Sequence, residues 1–298
     1  MAVADLNNDE KRTIITIDES SDFIKIYDPQ TGQIDTVKEL ISKGVNGLLV
    51  VDLNQDGLSD IAVTYGGYTI GKSKPNTLPT NFEIFLNQGK LKFESYIRVS
   101  GQGDPSLGVI RGADFDQDGD VDLFLGGTVQ RNNYPIASHS YLWINDLADN
   151  QEKTTIDLLD LGIVMDALWT DINNDGKQEL MVAAHLKPIQ IISFEQGQLT
   201  TYNHPAVTEI GFWNSIQPLD YDNDGDMDYL VGNLGTNTPL SNGDSPITIT
   251  YQDQDENGSV DVFTGCQFNQ ETAIVSFEFR NEVSAQIPIL KKQFLDYQ

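Results

Sequence analysis

The sequence predicts an all-β fold built from repeated four-stranded antiparallel units, and three observations predict it. A nine-residue pattern of Asp, Asn and Gly recurs along the 298 residues. Each copy is flanked by short apolar runs rich in β-branched and aromatic residues, which read as buried strands. The copies are spaced by about the length of one four-stranded unit, roughly 40–50 residues plus loop insertions.

The pattern reads acid, x, Asp or Asn, x, Asp or Asn, Gly, x, x, acid. Complete copies begin at Asp52, Asp114, Asp171, Asp220 and Asp253, and a worn copy with Asp5, Asn7 and Asp9 opens the chain. The steps between first positions are 47, 62, 57, 49 and 33. Alternate side-chain oxygens at positions 1, 3 and 5 converge in such a loop. Glycine at position 6 permits the turn that brings the carbonyl of position 7 inward, and the last acid closes an oxygen shell suited to Ca²⁺. Mg²⁺ demands stricter octahedral geometry, and Zn²⁺ would want the His or Cys that every copy lacks. Asp-Asn-Gly clusters also form plain turns, but five complete copies with an acid always at position 9 favour binding.

The expected ligands are Asp52, Asn54, Asp56, Leu58 and Asp60 in the second loop; Asp114, Asp116, Asp118, Asp120 and Asp122 in the third; and Asp171, Asn173, Asp175, Lys177 and Glu179 in the fourth. The fifth offers Asp220, Asp222, Asp224, Asp226 and Asp228, and the sixth Asp253, Asp255, Asn257, Ser259 and Asp261. Position 7 contributes its carbonyl. About five Ca²⁺ sites result. The first loop has Glu10 in place of glycine and Thr13 in place of the closing acid, so it is not expected to hold metal. An EF-hand is excluded, because position 12 holds Val63, Leu125, Val182, Val231 and Thr264 where that motif needs Glu.

The strands follow in order. Runs such as Gly47 to Val51 and Met165 to Thr170 precede a loop. Ile61 to Tyr65, Val121 to Leu125, Leu180 to Ala183, Met227 to Val231 and Val260 to Phe263 follow one. Each loop is thus a hairpin turn. A second hairpin completes the unit, as in Phe23 to Tyr27 with Gln33 to Val37, Phe82 to Leu86 with Leu91 to Glu94, and Ile189 to Phe194 with Leu199 to Tyr202. Four antiparallel strands per repeat, with a calcium loop between strands A and B, describe the blades of a β-propeller. Six units are visible, approximately 2–41, 46–100, 107–160, 164–204, 211–245 and an atypical 246–265, so the propeller over 1–265 is six- or seven-bladed. The last step is too short for a full blade, so the fifth unit is expected to lack a regular outer hairpin. Residues 266–298 form a C-terminal extension with a short helix expected from Ile289 to Leu295, after Pro288.

The five complete loops between an inner and a second strand resemble the FG-GAP or VCBS repeats of integrin α-type propellers and their bacterial relatives. Residues Asn233 to Gly235, Tyr251 to Asp261 and Gln286 to Phe294 more narrowly resemble VCBS-repeat proteins of Bacteroidota and related bacteria. The resemblance implies calcium-bound propellers outside the cytoplasm, secreted, periplasmic or on a bacterial cell surface, with no shared activity. It also implies a larger multidomain surface protein, and the chain reads as trimmed at both ends.

The formal charge of −27, from 45 acids against 18 Lys and Arg, and a pI near 4.1 argue against nucleic-acid or anionic-lipid partners. Seventeen of the acids occupy side-chain ligand positions 1, 3, 5 and 9 of loops two to six. The single Cys266 allows neither a disulfide within the chain nor a CxxC site. No apolar run is long enough to span a bilayer, and the first residues do not form a signal peptide.

Cations and aromatics concentrate in the B–C and D–A connections, opposite the calcium loops. They are Tyr68, Lys72 and Lys74; Arg131, Asn132, Asn133, Tyr134 and His139; His185 and Lys187; and the stretch from Asn203 through His204 to Pro205. That face is the expected recognition surface for a glycan or protein ligand, with solvated loops as the bland alternative. The expected function is a non-catalytic binding, adhesion or scaffold module. The alternative is a polysaccharide lyase, though the three histidines are scattered and no nucleophile motif appears. Arg111 is placed either in a central channel or in a structural role. Trp143, Trp169 and Trp213 are expected to pack strands, and Cys266 to be buried.

Overall fold

Short runs that alternate a face for burial with a face for water fold as antiparallel strands once Gly- and Asn-rich turns reverse the chain between them. The computed structural model describes residues 1–17, 23–41, 44–66, 80–100, 106–130, 133–145, 155–158, 161–195, 198–202, 208–235, 247–267, 274–278 and 280–288. The first sheet runs β1 (Ala2–Ala4), β2 (Thr13–Thr16), β3 (Phe23–Tyr27), β4 (Ile34–Ile41). The second repeats this order with β5 (Val45–Val51), β6 (Asp60–Tyr65), β7 (Thr80–Asn87) and β8 (Phe93–Ser100). The third does so with β9 (Leu107–Ala113), β10 (Asp122–Gly127), β11 (Ser140–Trp143) and β12 (Thr155–Leu158). In each, the nine-residue loop joins the first strand to the second, as the sequence predicts.

The fourth sheet, β13 (Ile163–Thr170), β14 (Glu179–Lys187), β15 (Gln190–Glu195) and β16 (Gln198–Tyr202), has an addition the sequence did not suggest. β14 outruns β15, and its end pairs with β17 (Gly211–Leu219), His185 opposite Phe212 and Lys187 opposite Gly211. That pairing joins the hairpin of β17 and β18 (Asp228–Asn233) to the fourth sheet. Among the described residues the fifth unit has only these two strands, in keeping with its short step. The last sheet comprises β19 (Ile247–Gln252), β20 (Asp261–Gln267) and β21 (Ile274–Ser276). It continues past residue 265 into the segment assigned to the extension. The helix α1 (Arg280–Gln286) lies earlier than expected, ending before Pro288. Its Gln286 Oε1 accepts the Val262 N–H at 2.8 Å and ties it to β20, an anchor invisible to periodicity. The stretch 289–295, where a helix was expected, lies outside the described residues.

Consecutive sheets share their cores. Ile15, Ile24 and Ile26 of the first pack with Ile61, Val63 and Phe85 of the second. Phe82 and Ile84 of the second pack with Leu123, Leu125 and Trp143 of the third. Phe124 and Leu142 then meet Val164, Leu180 and Val182 of the fourth, and Met181 and Ala183 meet Ile216. The second strands of the second, third and fourth sheets, covered on both faces, are buried along most of their length. The first strands β1, β5, β9, β13 and β17 touch in turn. They approach closely where side chains vanish: a Cβ on Gly47 would lie 2.5 Å from the Gly108 carbonyl oxygen.

The tryptophans pack as expected. Trp143 is buried against Phe82 at 5.8 Å, and Trp169 stacks on Phe115 at 5.6 Å. Trp213 is partly buried beside the Met181 cluster. Cys266 is fully buried.

Arg111 has the structural role. On β9, its Nη2 meets Asp166 Oδ1 at 2.5 Å and its Nε donates to the Ala167 carbonyl at 2.7 Å, both on β13. Asp166 Oδ2 in turn accepts the Ile216 N–H of β17 at 3.0 Å. One ion pair thus clamps three successive first strands. Asp166→Ala strands the guanidinium and that N–H, and is expected to lower the unfolding free energy by about 2 kcal/mol, measured by urea denaturation.

Candidate metal loops

Two left-handed residues bend each loop. Position 6 has φ between 85° and 102° at Gly57, Gly119, Gly176, Gly225 and Gly258, where only glycine is unstrained. Position 4 is also left-handed, at Gln55, Gln117, Asn174, Asn223 and Glu256, a feature the sequence reading missed. The Asn residues there were the available signal, since Asn tolerates this region best among residues with a side chain.

The carboxylates wrap the bend. At position 1, Asp52, Asp114, Asp171 and Asp253 accept the N–H of the position-6 glycine through Oδ2 at 2.8–3.1 Å. At position 5, Asp56, Asp118, Asp175, Asp224 and Asn257 each accept the N–H of position 7, borne by Leu58, Asp120, Lys177, Asp226 and Ser259. The closing acid does more than the sequence assigned to it. Asp60, Asp122, Glu179, Asp228 and Asp261 all accept the N–H of position 2, borne by Leu53, Phe115, Ile172, Tyr221 and Gln254, at 2.8–3.2 Å. Four of the five are buried and Asp228 is half-buried.

In two sheets this acid also anchors the neighbouring unit. The other oxygen of Asp60 accepts the Asn87 N–H, and that of Asp122 accepts the Asn145 N–H, both at 2.8 Å. Asn87 Nδ2 donates to the Leu6 carbonyl of the first loop, and Asn145 Nδ2 to the Leu53 carbonyl of the second. Gln55 Nε2 adds a bond to the Gly119 carbonyl at 2.9 Å. A hydrogen-bonded chain therefore links the first three loops, carried by two asparagines that sequence reading took for turn residues.

Convergence differs between loops. Asp114, Asp116 and Asp122 each present an oxygen within 4.8 Å of the others, as do Asp220, Asp222 and Asp228, and Asp253, Asp255 and Asp261. At that separation each pair of charges repels by about 3 kcal/mol at an effective dielectric near 20. In the second and fourth loops position 3 is asparagine, and its amide nitrogen faces the acids: Asn54 Nδ2 donates to Asp56, and Asn173 Nδ2 to Asp175 and Glu179.

These residues fit a hard cation. Every donor is oxygen, and Asp255 Oδ1 is buried without a hydrogen-bond partner, which a buried carboxylate oxygen tolerates poorly. Burial raises the Asp60 and Glu179 carboxyls and pushes Asp122 up to about 7, against its Asn145 hydrogen bond and with the Asp116 charge adding to the rise. The clusters could hold a metal ion.

The first loop keeps this backbone without the donor set. Glu10 takes the strained φ of 64° predicted for its position, and Asp5 Oδ2 accepts its N–H at 2.7 Å. Thr13 replaces the closing acid by donating its hydroxyl to the Ala4 carbonyl. Lys11 Nζ lies 3.8 Å from Asp9.

Of the expected recognition residues, His139, His185 and Lys187 line one cavity of about 640 Å³ at the ends of the third and fourth sheets opposite their loops. Tyr134 is at its margin in sequence and exposed. Residues 67–79, 131–132 and 203–207, with Tyr68, Lys72, Lys74, Arg131, Asn132 and His204, lie outside the described residues. Tyr251 also lines the cavity, and it stands two residues before Asp253. The sixth loop therefore begins close to this cavity.

The pH dependence has a definite sign. The Asp122 carboxyl is raised from 3.8 to about 7 in the ion-free fold, so its contribution is fully present below about 4 and is lost as pH rises through about 7. Protein stripped of divalent ions is expected to lose melting temperature between about pH 4 and pH 7. Asp122→Asn flattens that slope in thermal melts.

A family model described as an FG-GAP-like repeat matches residues 52–125 and 171–231. Each stretch runs from the first acid of one loop to the strand after the next. No curated protein matches the chain.

Proposed function

The chain is a member of the FG-GAP-repeat proteins by its residues 52–125 and 171–231, and on that footing we propose that it is a calcium-stabilised, non-catalytic binding or scaffold module that works outside the cytoplasm. The sheets of the first four units are propeller blades in this reading, supported by the succession of first strands in contact around Arg111. The observation that carries the reading is the set of buried or half-buried closing carboxylates grouped with like charges, an arrangement that a divalent cation stabilises.

Asp114, Asp116, Asp118 and Asp122, with the Asp120 carbonyl, hold the ion in the third loop, and the matching positions do so in loops two, four, five and six. Bound calcium neutralises the carboxylates and fastens each first strand to its second. Binding free energy becomes fold stability by mass action. Sites of extracellular modules need only ~10⁻⁴–10⁻³ M affinity, which suits calcium levels outside cells and not those of the cytosol. Among the described residues no helix is long and apolar enough to cross a membrane.

The ligand is a glycan or protein held by the face that carries His139, His185 and Lys187. That face brings two histidines and a lysine to one cavity of an acidic chain. Chelation with EGTA is expected to lower the melting temperature by about five degrees or more, since losing about 3 kcal/mol shifts a chain of 298 residues by roughly that much, and added calcium restores it. An unchanged melt contradicts the calcium reading. Incubation with pectic and alginate-type polymers is expected to yield no unsaturated-uronate absorbance, whereas its appearance contradicts the non-catalytic reading. A glycan and peptide array scores the binding role itself.

A further inference from the structure

Taking the binding-module reading as its basis, we propose that the cavity between the third and fourth sheets is a saccharide site for a sugar bearing a carboxylate, a uronic acid. Its volume of about 640 Å³ accommodates one or two sugar rings. The chain carries 45 acids in 298 residues, so a wall of twelve would ordinarily include one or two. None of the twelve described lining residues is acidic, while His139, His185 and Lys187 are all present. In a protein of charge −27 that composition favours an anion.

Local backbone geometry gathers these groups. Successive strand residues normally point to opposite faces, yet His185, Leu186 and Lys187 all line the cavity. Leu186 has a φ of 63°, a true outlier for a bulky side chain, and the pairing with β17 slips between His185 and Lys187. Strain of this kind gathers at functional sites.

The histidine is aimed. Asn214 Nδ2 donates to the Phe212 carbonyl at 2.7 Å, which leaves Asn214 Oδ1 to face His185 Nε2 at 2.9 Å. Nε2 therefore carries a proton, and Phe212 holds the ring edge-on at 5.3 Å. Tyr251, which also lines the cavity, is half-exposed, an amphipathic ring of the kind on which a sugar face stacks. The arrangement provides an ammonium for the carboxylate and an aromatic wall for the ring. It also hangs that wall two residues from a metal loop.

Isothermal titration of the calcium-loaded chain tests this, with galacturonic acid, glucuronic acid and digalacturonate as probes, and galactose and a diglutamyl peptide as controls. The uronates are expected to bind saturably and galactose at least about tenfold more weakly. Lys187→Gln and Tyr251→Ala each weaken uronate binding about tenfold with unchanged melting temperature, the worth of one charged or stacked contact. Equal binding of galactose, or uronate binding undiminished in both variants, overturns the proposal. Peptide binding that needs Lys187 and ignores Tyr251 overturns it too, and leaves the binding-module reading standing. Silence from all probes overturns the uronate assignment, and the array then decides the module reading separately.

Discussion

The acid that closes each nine-residue loop accepts the same backbone hydrogen bond five times over, from the N–H of position 2, and in four loops it is buried. That position fastens the loop to the root of its second strand. It also places an ionisable group where water cannot solvate it, beside two or three others of like charge. A fold would not gain from such an arrangement unless something compensates for the lost hydration. Backbone N–H donors supply part of the compensation. The converging oxygens could hold a divalent cation that would supply the rest.

Order between the sheets depends on the same groups. Asn87 and Asn145 connect a closing acid of one unit to the loop carbonyl of the unit before it, so a loop that loosens also loosens its neighbour. The Arg111 and Asp166 pair clamps the first strands nearer their middle. The first four sheets are thereby held in register at two levels, by polar ties as well as by shared apolar clusters. The fifth hairpin is held by the extension of β14, and that extension is also what shapes the cavity.

Much of this was legible in the sequence, because the loops are local. Positions 1, 5, 6 and 9 act within nine residues of one another, and the flanking strands announce themselves by β-branched runs. The strained Glu10 and the burial of Trp143 and Cys266 were predictable for the same reason. What was not legible is non-local. Asn87 and Asn145 look like turn residues until the carbonyls of Leu6 and Leu53 are placed beside them. Arg111 looks like a channel residue until Asp166 arrives from the next sheet. The pairing of β14 with β17 depends on packing that no period in the sequence encodes. The helix at Arg280–Gln286 is tied to β20 through Gln286, and amphipathic spacing pointed elsewhere.

The central claim is that cations balance the buried loop carboxylates. It is tested most directly by calorimetric calcium titration of ion-stripped protein, with the bound ions counted. The account predicts about five ions per chain, reduced by one in Asp261→Ala, and none lost in Asp5→Ala, since the first loop holds its shape through Glu10, Thr13 and Lys11 instead. Binding of no ion to the stripped protein, or an ion count unchanged by Asp261→Ala, would contradict it.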